Sequence, residues 1–431
     1  MNISSKTDRK GFGFEYTISD MFQSQGYLVR RSVPLQFGTT NQDATDIDVL
    51  GIMFTGLFQK HRIVCDCKNK ARAKPYERIF WAKGLGEFVN TSNVFVALNK
   101  TQSEIIRFAG TGGVKVLTSD IISKYTSSNS PHGLADASYY EAYEKTLEKI
   151  SKRNRVINNI FSNFKKLYLN ENPYLALNIA LAYLEEVSKE LQLYTDSNDE
   201  FNKALRFLAC ELTTIVGLQL LCICSDVLSL PENVRREHII NKLTFGEMEP
   251  RAVKGIIKNA KDLANEIVKS SVPKSVAPKE VDFGEITVPP YTDSLIGLVE
   301  RALLRPQMYL RMPQLLDFLL FEQGFKGKEY TDEEFIKIFG HSMSDERMKA
   351  SRNVLAFVKS FCGIDWKHIW EKSNNNESIQ PKATIVKTES VVTEEKNETI
   401  STTEAQVLTS SRDVSNQSIN GKANTISDEK G

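Results

Sequence analysis

The sequence predicts an α/β domain with a mixed sheet flanked by helices, then a mostly α-helical region and a disordered C-terminal tail. Three observations predict this. Short Val/Ile-rich runs alternate with helical patterns over the first 120 or so residues. Long stretches with a period near 3.6 and almost no strand signal follow. Beyond Trp370 the chain has no aromatic residue and is dominated by Ser, Thr, Asn and Glu.

Residues 12–28 read as an amphipathic helix, from Phe12, Phe14, Ile18 and Phe22, with Gly26 as a stop. Tyr27–Val33, Ile47–Met53 and Arg62–Lys68 read as strands. A helix is expected from Tyr76 to Asn90, then an apolar strand Val94–Leu98. A helix Thr101–Ala109 and a last strand Val114–Thr118 complete the order α-β-β-β-α-β-α-β. Phe80 and Trp81 are expected to pack into the core. Gly110-x-Gly112-Gly113 lacks the Lys-Ser/Thr of a phosphate loop and reads as a helix end plus turn.

The helical pattern begins near Ser138, with long runs at Ala176–Leu193 and Phe201–Leu228. It resumes at Thr292–Leu303, Gln314–Gln323, Asp332–Phe339 and Asp345–Phe361. The organisation expected is therefore a first domain over 1–125, a helical domain over 138–270 and a Pro/Val/Lys linker over 271–290. A helical subdomain over 291–370 follows, and then the tail 371–431, which cannot bury enough apolar surface to offset its ordering entropy.

Net charge is +1, so no global field announces a nucleic acid or a membrane. Residues 1–125 carry 17 Lys+Arg against 11 Asp+Glu, whereas residues 371–431 carry 7 against 10. The first domain is basic despite an acidic cluster, and the tail is mildly acidic. The six cysteines lack the spacing with His that zinc sites use, and Cys222-x-Cys224 reads as core. The N-terminus has no signal-peptide core. The apolar stretch around Ile215–Cys224 reads as too short to span a bilayer, which takes ~20 residues. The expectation is an intracellular, cytoplasmic protein without a membrane partner.

Chemistry concentrates in four residues. On a strand, alternate side chains share a face. Asp66 and Lys68 then point one way, with Cys65 and Cys67 in the opposite, buried layer. Asp46 and Asp48 share a face, with Ile47, Val49 and Gly51 opposite. A hairpin through Thr55-Gly56-Leu57 would set Asp48 opposite Asp66. Two carboxylates so close repel unless a cation intervenes. Mg²⁺ suits a site of one or two carboxylates plus a phosphate, where it acidifies water and polarises a phosphoryl oxygen. Lys68 would orient that water or offset developing charge. Glu15 on the first helix could reach the same shell, as could the backbone carbonyl of Cys67.

Gly11-Phe12-Gly13-Phe14-Glu15, Gly26-Tyr27-Leu28-Val29, Thr45-Asp46-Ile47-Asp48-Val49-Leu50-Gly51 and Ile63-Val64-Cys65-Asp66-Cys67-Lys68-Asn69 together resemble the PD-(D/E)xK nuclease superfamily. The pattern is most similar to Mrr-type restriction endonucleases and Holliday-junction resolvases. The resemblance covers roughly residues 10–120 and departs in one place, where Ile47 replaces the proline of the PD dipeptide. It implies a restriction-endonuclease-like core and Mg²⁺-dependent hydrolysis of DNA phosphodiester bonds, with Mn²⁺ as a substitute ion. By position Asp48 matches the first motif acid, Asp66 and Lys68 the (D/E)xK pair, and Glu15 the helix acid. Catalysis would then fall to Asp48, Asp66, Lys68 and Glu15, and the metal to Asp48, Asp66, Glu15 and Cys67. Whether Asp46 or Asp48 is the ligand stays open.

Arg72, Lys74, Arg78 and Lys83 form either a phosphate-contacting rim or a solvated helix face. His61 is expected in the hairpin turn, and Arg235-Arg236 with Lys254, Lys258 and Lys261 on exposed faces. By family analogy the setting is restriction, anti-phage defence or DNA repair, with homo-oligomer contacts left to the helical region. The alternatives are a catalytically inactive nuclease fold that binds DNA or organises an assembly, and a ribonuclease or structure-specific nuclease.

Overall fold

Strand β1 (Leu28–Gln36) turns antiparallel into β2 (Asp43–Thr55), and β2 into β3 (Gln59–Lys68). The chain then crosses through helix α2 (Pro75–Phe88) to β4 (Asn93–Leu98), and through α3 (Ser103–Thr111) to β5 (Val114–Thr118). Both crossovers make parallel pairs, so the sheet is five-stranded and mixed, in the order β1-β2-β3-β4-β5. Helix α1 (Phe12–Ser24) precedes it and α4 (Ser119–Ser128) follows. In this computed structural model the described residues are 12–36, 43–68, 74–98, 101–128, 137–194, 196, 199–271, 280–282, 284–325, 327, 329–364 and 366. Gly11, Asn69, Arg72, much of the expected linker 271–290 and the expected tail 371–431 lie outside them.

All five strands fall where alternation and Val/Ile content place them, because each buries apolar side chains on both faces. One face carries Val29, Val49, Ile63, Cys65, Cys67, Ala97 and Leu117, which pack under Ile18, Met21 and Phe22 of α1 and Ile122 of α4. The other face carries Leu50, Ile52, Val64, Val94 and Val96, packed against Ile79 and Ala82 of α2 and Ile105 and Ala109 of α3. Gly112 caps α3, and Gly113 follows at φ +72, the turn expected of this Gly pair. The hairpin between β2 and β3 closes through a 3₁₀ turn, Gly56–Phe58, and His61 lies on β3, within 2.8 Å of the Thr55 hydroxyl.

Strict alternation fails at one point. Ile47 packs with Val33 in the α2-side core while Val49 packs under α1, so Ile47 and Val49 do not share a layer as expected. The pairs Arg31–Val49 and Val33–Ile47 bracket Ser32, whose φ of +48 reorients β1 beside Asp48. A left-handed residue inside a strand changes which face the following side chains take.

The helical region comprises α5 (Ala137–Ser151), α6 (Arg155–Asn163), a 3₁₀ segment (Phe164–Tyr168), α7 (Pro173–Leu193), α8 (Glu200–Val227), α9 (Glu232–Phe245) and α10 (Pro250–Ser271). After it come α11 (Thr292–Leu304), α12 (Pro306–Tyr309), α13 (Met312–Asp317), a π-helical segment (Phe318–Phe325), α14 (Asp332–Phe339) and α15 (Glu346–Cys362). The single helix expected over Gln314–Gln323 is thus two pieces, an α-helical turn and a π-helical one. Helix α8 is its axis. At 28 residues it is long and apolar enough to cross a membrane, contrary to the length read around Ile215–Cys224, but 94 % of its apolar window is buried inside the protein.

The described residues form one compact unit, in which the sheet and the helices share a core. Among the polar links that cross between them are two made by arginines. On β3, Arg62 donates to Val89 and pairs with Glu171 at 2.7 Å. On β1, buried Arg30 pairs with Glu211 of α8 and Asp317 of α13. Arg235 and Arg236 pair with Glu300 and Asp293, and Arg235 is half-buried rather than exposed.

Candidate active site

The β2–β3 register runs from Thr55–Gln59 to Val49–Cys65, and one step further brings Asp48 level with Asp66. There the backbone ladder gives way to a side chain: the Cys67 N–H donates to Asp48 Oδ2 at 2.7 Å. Lys68 closes the gap between the acids, its Nζ 3.1 Å from Asp48 Oδ2 and 3.5 Å from Asp66 Oδ1. β3 continues past that point only because β4 supports it, through pairs such as Asp66–Val96 and Lys68–Leu98. Three of the four expected residues therefore meet at the end of one hairpin.

Glu15 reaches the same place from α1. Arg31 of β1 lies 3.4 Å from its Oε2 and stacks over the Tyr16 ring. Burial, then the nearby Asp48 charge, push the Glu15 carboxyl up to about 7, outweighing Arg31 and Lys68. Burial works against the Lys68 charge, but Asp66 and Asp48 outweigh it and raise its pKa above the ordinary value. Lys68 is thus a fixed ammonium at neutral pH, able to donate to a water or a phosphoryl oxygen and unable to act as a base.

Asp46, by contrast, is exposed, and its backbone pairs with Pro34. The geometry selects Asp48 as the acid beside Lys68. The Cys67 thiol packs with Cys65 in the buried layer. That sulfur contact, and burial with it, hold the thiol well above its usual value. Its backbone carbonyl oxygen is left as the group that would ligate a metal.

Arg78 is the residue whose place the sequence left undecided between a rim and a solvated face. It is neither. From the first turn of α2 its Nε donates to Asp66 Oδ2 at 2.8 Å, and its Nη2 pairs with Asp66 Oδ1. The signal was present in outline: an Arg in the first turn of a helix that returns over the strand bearing Asp66. Its reach could not be read without the crossover.

Chemically, two adjoining carboxylates with a third acid held near neutrality suit a hard divalent cation, since such ions take oxygen ligands and often only one or two carboxylates. Among the described residues no three His, Cys, Asp or Glu side chains already form a metal cage. Asp48, Asp66 and Glu15 are the residues that would hold such an ion, on condition that the Arg78 fork releases Asp66.

Comparison with known proteins returns nothing: no family model matches the chain, and neither do curated proteins or solved structures.

Proposed function

We propose that this protein is a metal-dependent endodeoxyribonuclease of the PD-(D/E)xK type, acting in defence against foreign DNA or in repair. The observation that carries the proposal is Lys68 bridging Asp48 and Asp66 where the β2–β3 hairpin forks. A three-stranded antiparallel start followed by two parallel strands also suits a restriction-endonuclease-like core.

In this reading the scissile phosphate sits over the fork. Water attacks phosphorus, the bond to the leaving sugar oxygen breaks, and that oxygen takes up a proton. Mg²⁺ or Mn²⁺ held by Asp48, Asp66 and Glu15 would polarise the phosphoryl oxygen and acidify water. Lys68 holds positive charge beside the phosphoryl oxygens as their charge grows. The Cys67 N–H fixes the Asp48 carboxylate, so the acid is positioned before substrate arrives.

A second reading, a DNA-binding protein without cleavage, is favoured by one observation: Arg78 already occupies both oxygens of Asp66. One assay separates the two. Purified protein is incubated with plasmid, linear duplex and RNA in Mg²⁺, Mn²⁺ or EDTA, beside Asp66→Ala and Lys68→Ala. Metal-dependent DNA cleavage lost in both variants is expected. Full cleavage by both variants would overturn the site, and binding without cleavage in any metal would favour the second reading.

A further inference from the structure

Helix α2 carries its small residues inward and its large ones outward. Ile79, Ala82 and Gly86 face the sheet, and a Cβ at Gly86 would collide with Val94, so this glycine lets the helix lie close on β4. Tyr76, Phe80, Trp81 and Phe88 face out, with exposures from 44 % at Trp81 to 79 % at Phe88. The expectation that Phe80 and Trp81 are core residues is therefore corrected: the inward positions are taken by smaller side chains that the close approach demands. Four exposed aromatic rings on one helix form an apolar strip of the kind that marks a binding surface.

The rings are held in place. Tyr76 and Phe80 meet Phe108 of α3 edge-on, at centroid distances of 5.0 and 5.6 Å. Trp81 lies 5.8 Å from the Arg78 guanidinium, and Arg78 holds Asp66. The strip thus starts at the acid cluster and runs along α2 for about 18 Å, at 1.5 Å per residue from Tyr76 to Phe88. Lys74, Arg78 and Lys83 interleave with the rings, paired to Glu77, Asp66 and Glu87, so the strip presents its rings rather than a field of positive charge.

A ligand with flat apolar faces complements such a surface. Duplex DNA keeps its base faces stacked inside and offers phosphates and sugars outward, which aromatic rings bind poorly. An unpaired strand offers both base faces and phosphates. We propose that α2 is a stacking platform for unpaired nucleotides next to the scissile phosphate, so that the substrate is single-stranded or branched DNA with an unpaired segment at the cut. This rests on the nuclease reading for its location, and its test does not depend on cleavage.

Binding is measured by fluorescence anisotropy in EDTA with the full chain. The probes are labelled oligothymidine of about 20 nucleotides, a duplex of equal length and an abasic strand of equal length, enough for several stacked bases. Wild type is expected to bind oligothymidine more tightly than duplex or abasic strand. Phe80→Ala with Trp81→Ala should weaken oligothymidine binding by roughly tenfold or more, at ~1–3 kcal/mol per stacked base, and leave duplex binding unchanged. Both side chains are exposed, and the abasic comparison on wild type needs no variant. Equal affinity for abasic strand and oligothymidine would overturn the platform, as would undiminished binding by the double variant. Sedimentation showing a wild-type dimer that the double variant loses, with oligothymidine binding intact, would reassign the strip to self-association. Absence of cleavage on every nucleic acid would sink the nuclease reading and leave the binding result standing.

Discussion

Arg30 and Glu211 are 181 residues apart in the chain and 2.8 Å apart in the interior, linking β1 to α8. Arg30 Nη2 also lies 2.6 Å from Asp317, and the Tyr168 hydroxyl donates to Glu211 at 2.8 Å. One guanidinium answers two buried carboxylates. Burial, with those carboxylates nearby, keeps the Tyr168 phenol far above its ordinary value, so it stays a donor.

Arg30→Ala should therefore be among the most damaging substitutions in the chain. It takes the guanidinium away from Glu211 and Asp317, each about 3 % exposed, and removing one partner of a buried pair costs about 3–5 kcal/mol. Denaturant unfolding followed by circular dichroism checks this. A loss under about 1 kcal/mol would mean that water or another group satisfies the acids.

The two acids of the Asp46-Ile47-Asp48 triplet should behave oppositely. Asp48→Ala is expected to reduce cleavage on the order of 100-fold or more, as loss of a charge-positioning group does. Asp46→Ala, at an exposed position, should cleave like wild type. Reversal of that order under single-turnover conditions would move the site.

Arg78→Ala should free Asp66 for a cation. Isothermal titration with Mn²⁺ and no nucleic acid should show tighter binding than wild type, since the guanidinium no longer competes for both oxygens. Unchanged or weaker affinity would mean that the fork does not block the metal position.

Glu15 should make stability fall as pH rises. Below the ordinary value of 4.5 the folded and unfolded chains both hold its proton. Between 4.5 and about 7 the unfolded chain gives the proton up while the folded one keeps it, so this contribution to stability declines and then levels off above about 7. Glu15→Gln removes the titration. The melting temperature of the variant relative to wild type should climb across that window, and a flat difference would refute the burial argument.

Gly217 sits where α8 meets α13, and a Cβ there would run into Leu316 and come within 2.9 Å of Met312 Sδ. Gly217→Val should cost about 1–3 kcal/mol by overpacking. Thermal melts of Gly217→Val beside Gly255→Val, where nothing lies within 4 Å of the added Cβ, separate crowding from loss of glycine itself.

Local pattern was enough for all five strands, for α1 to α3 and for the facing of Asp66 and Lys68 away from Cys65 and Cys67. Alternation and helical period are properties of neighbours in the chain, so they can be read without the fold. Ile47 escaped that reading because a left-handed Ser32 on the adjoining strand, not its own neighbours, decides its layer. Phe80 and Trp81 escaped it because their exposure is set by how closely Gly86 lets α2 approach β4.

By itself, then, the sequence determined the order of elements, the two-faced sheet and the acid-and-lysine cluster, since each depends on interactions a few residues apart. Tertiary structure alone decided the rest: that Asp48 rather than Asp46 stands beside Lys68, that Arg78 closes on Asp66, and that Arg30 ties the sheet to α8. Each of those contacts joins separate elements, and its geometry follows from strand register and helix approach that no local pattern encodes.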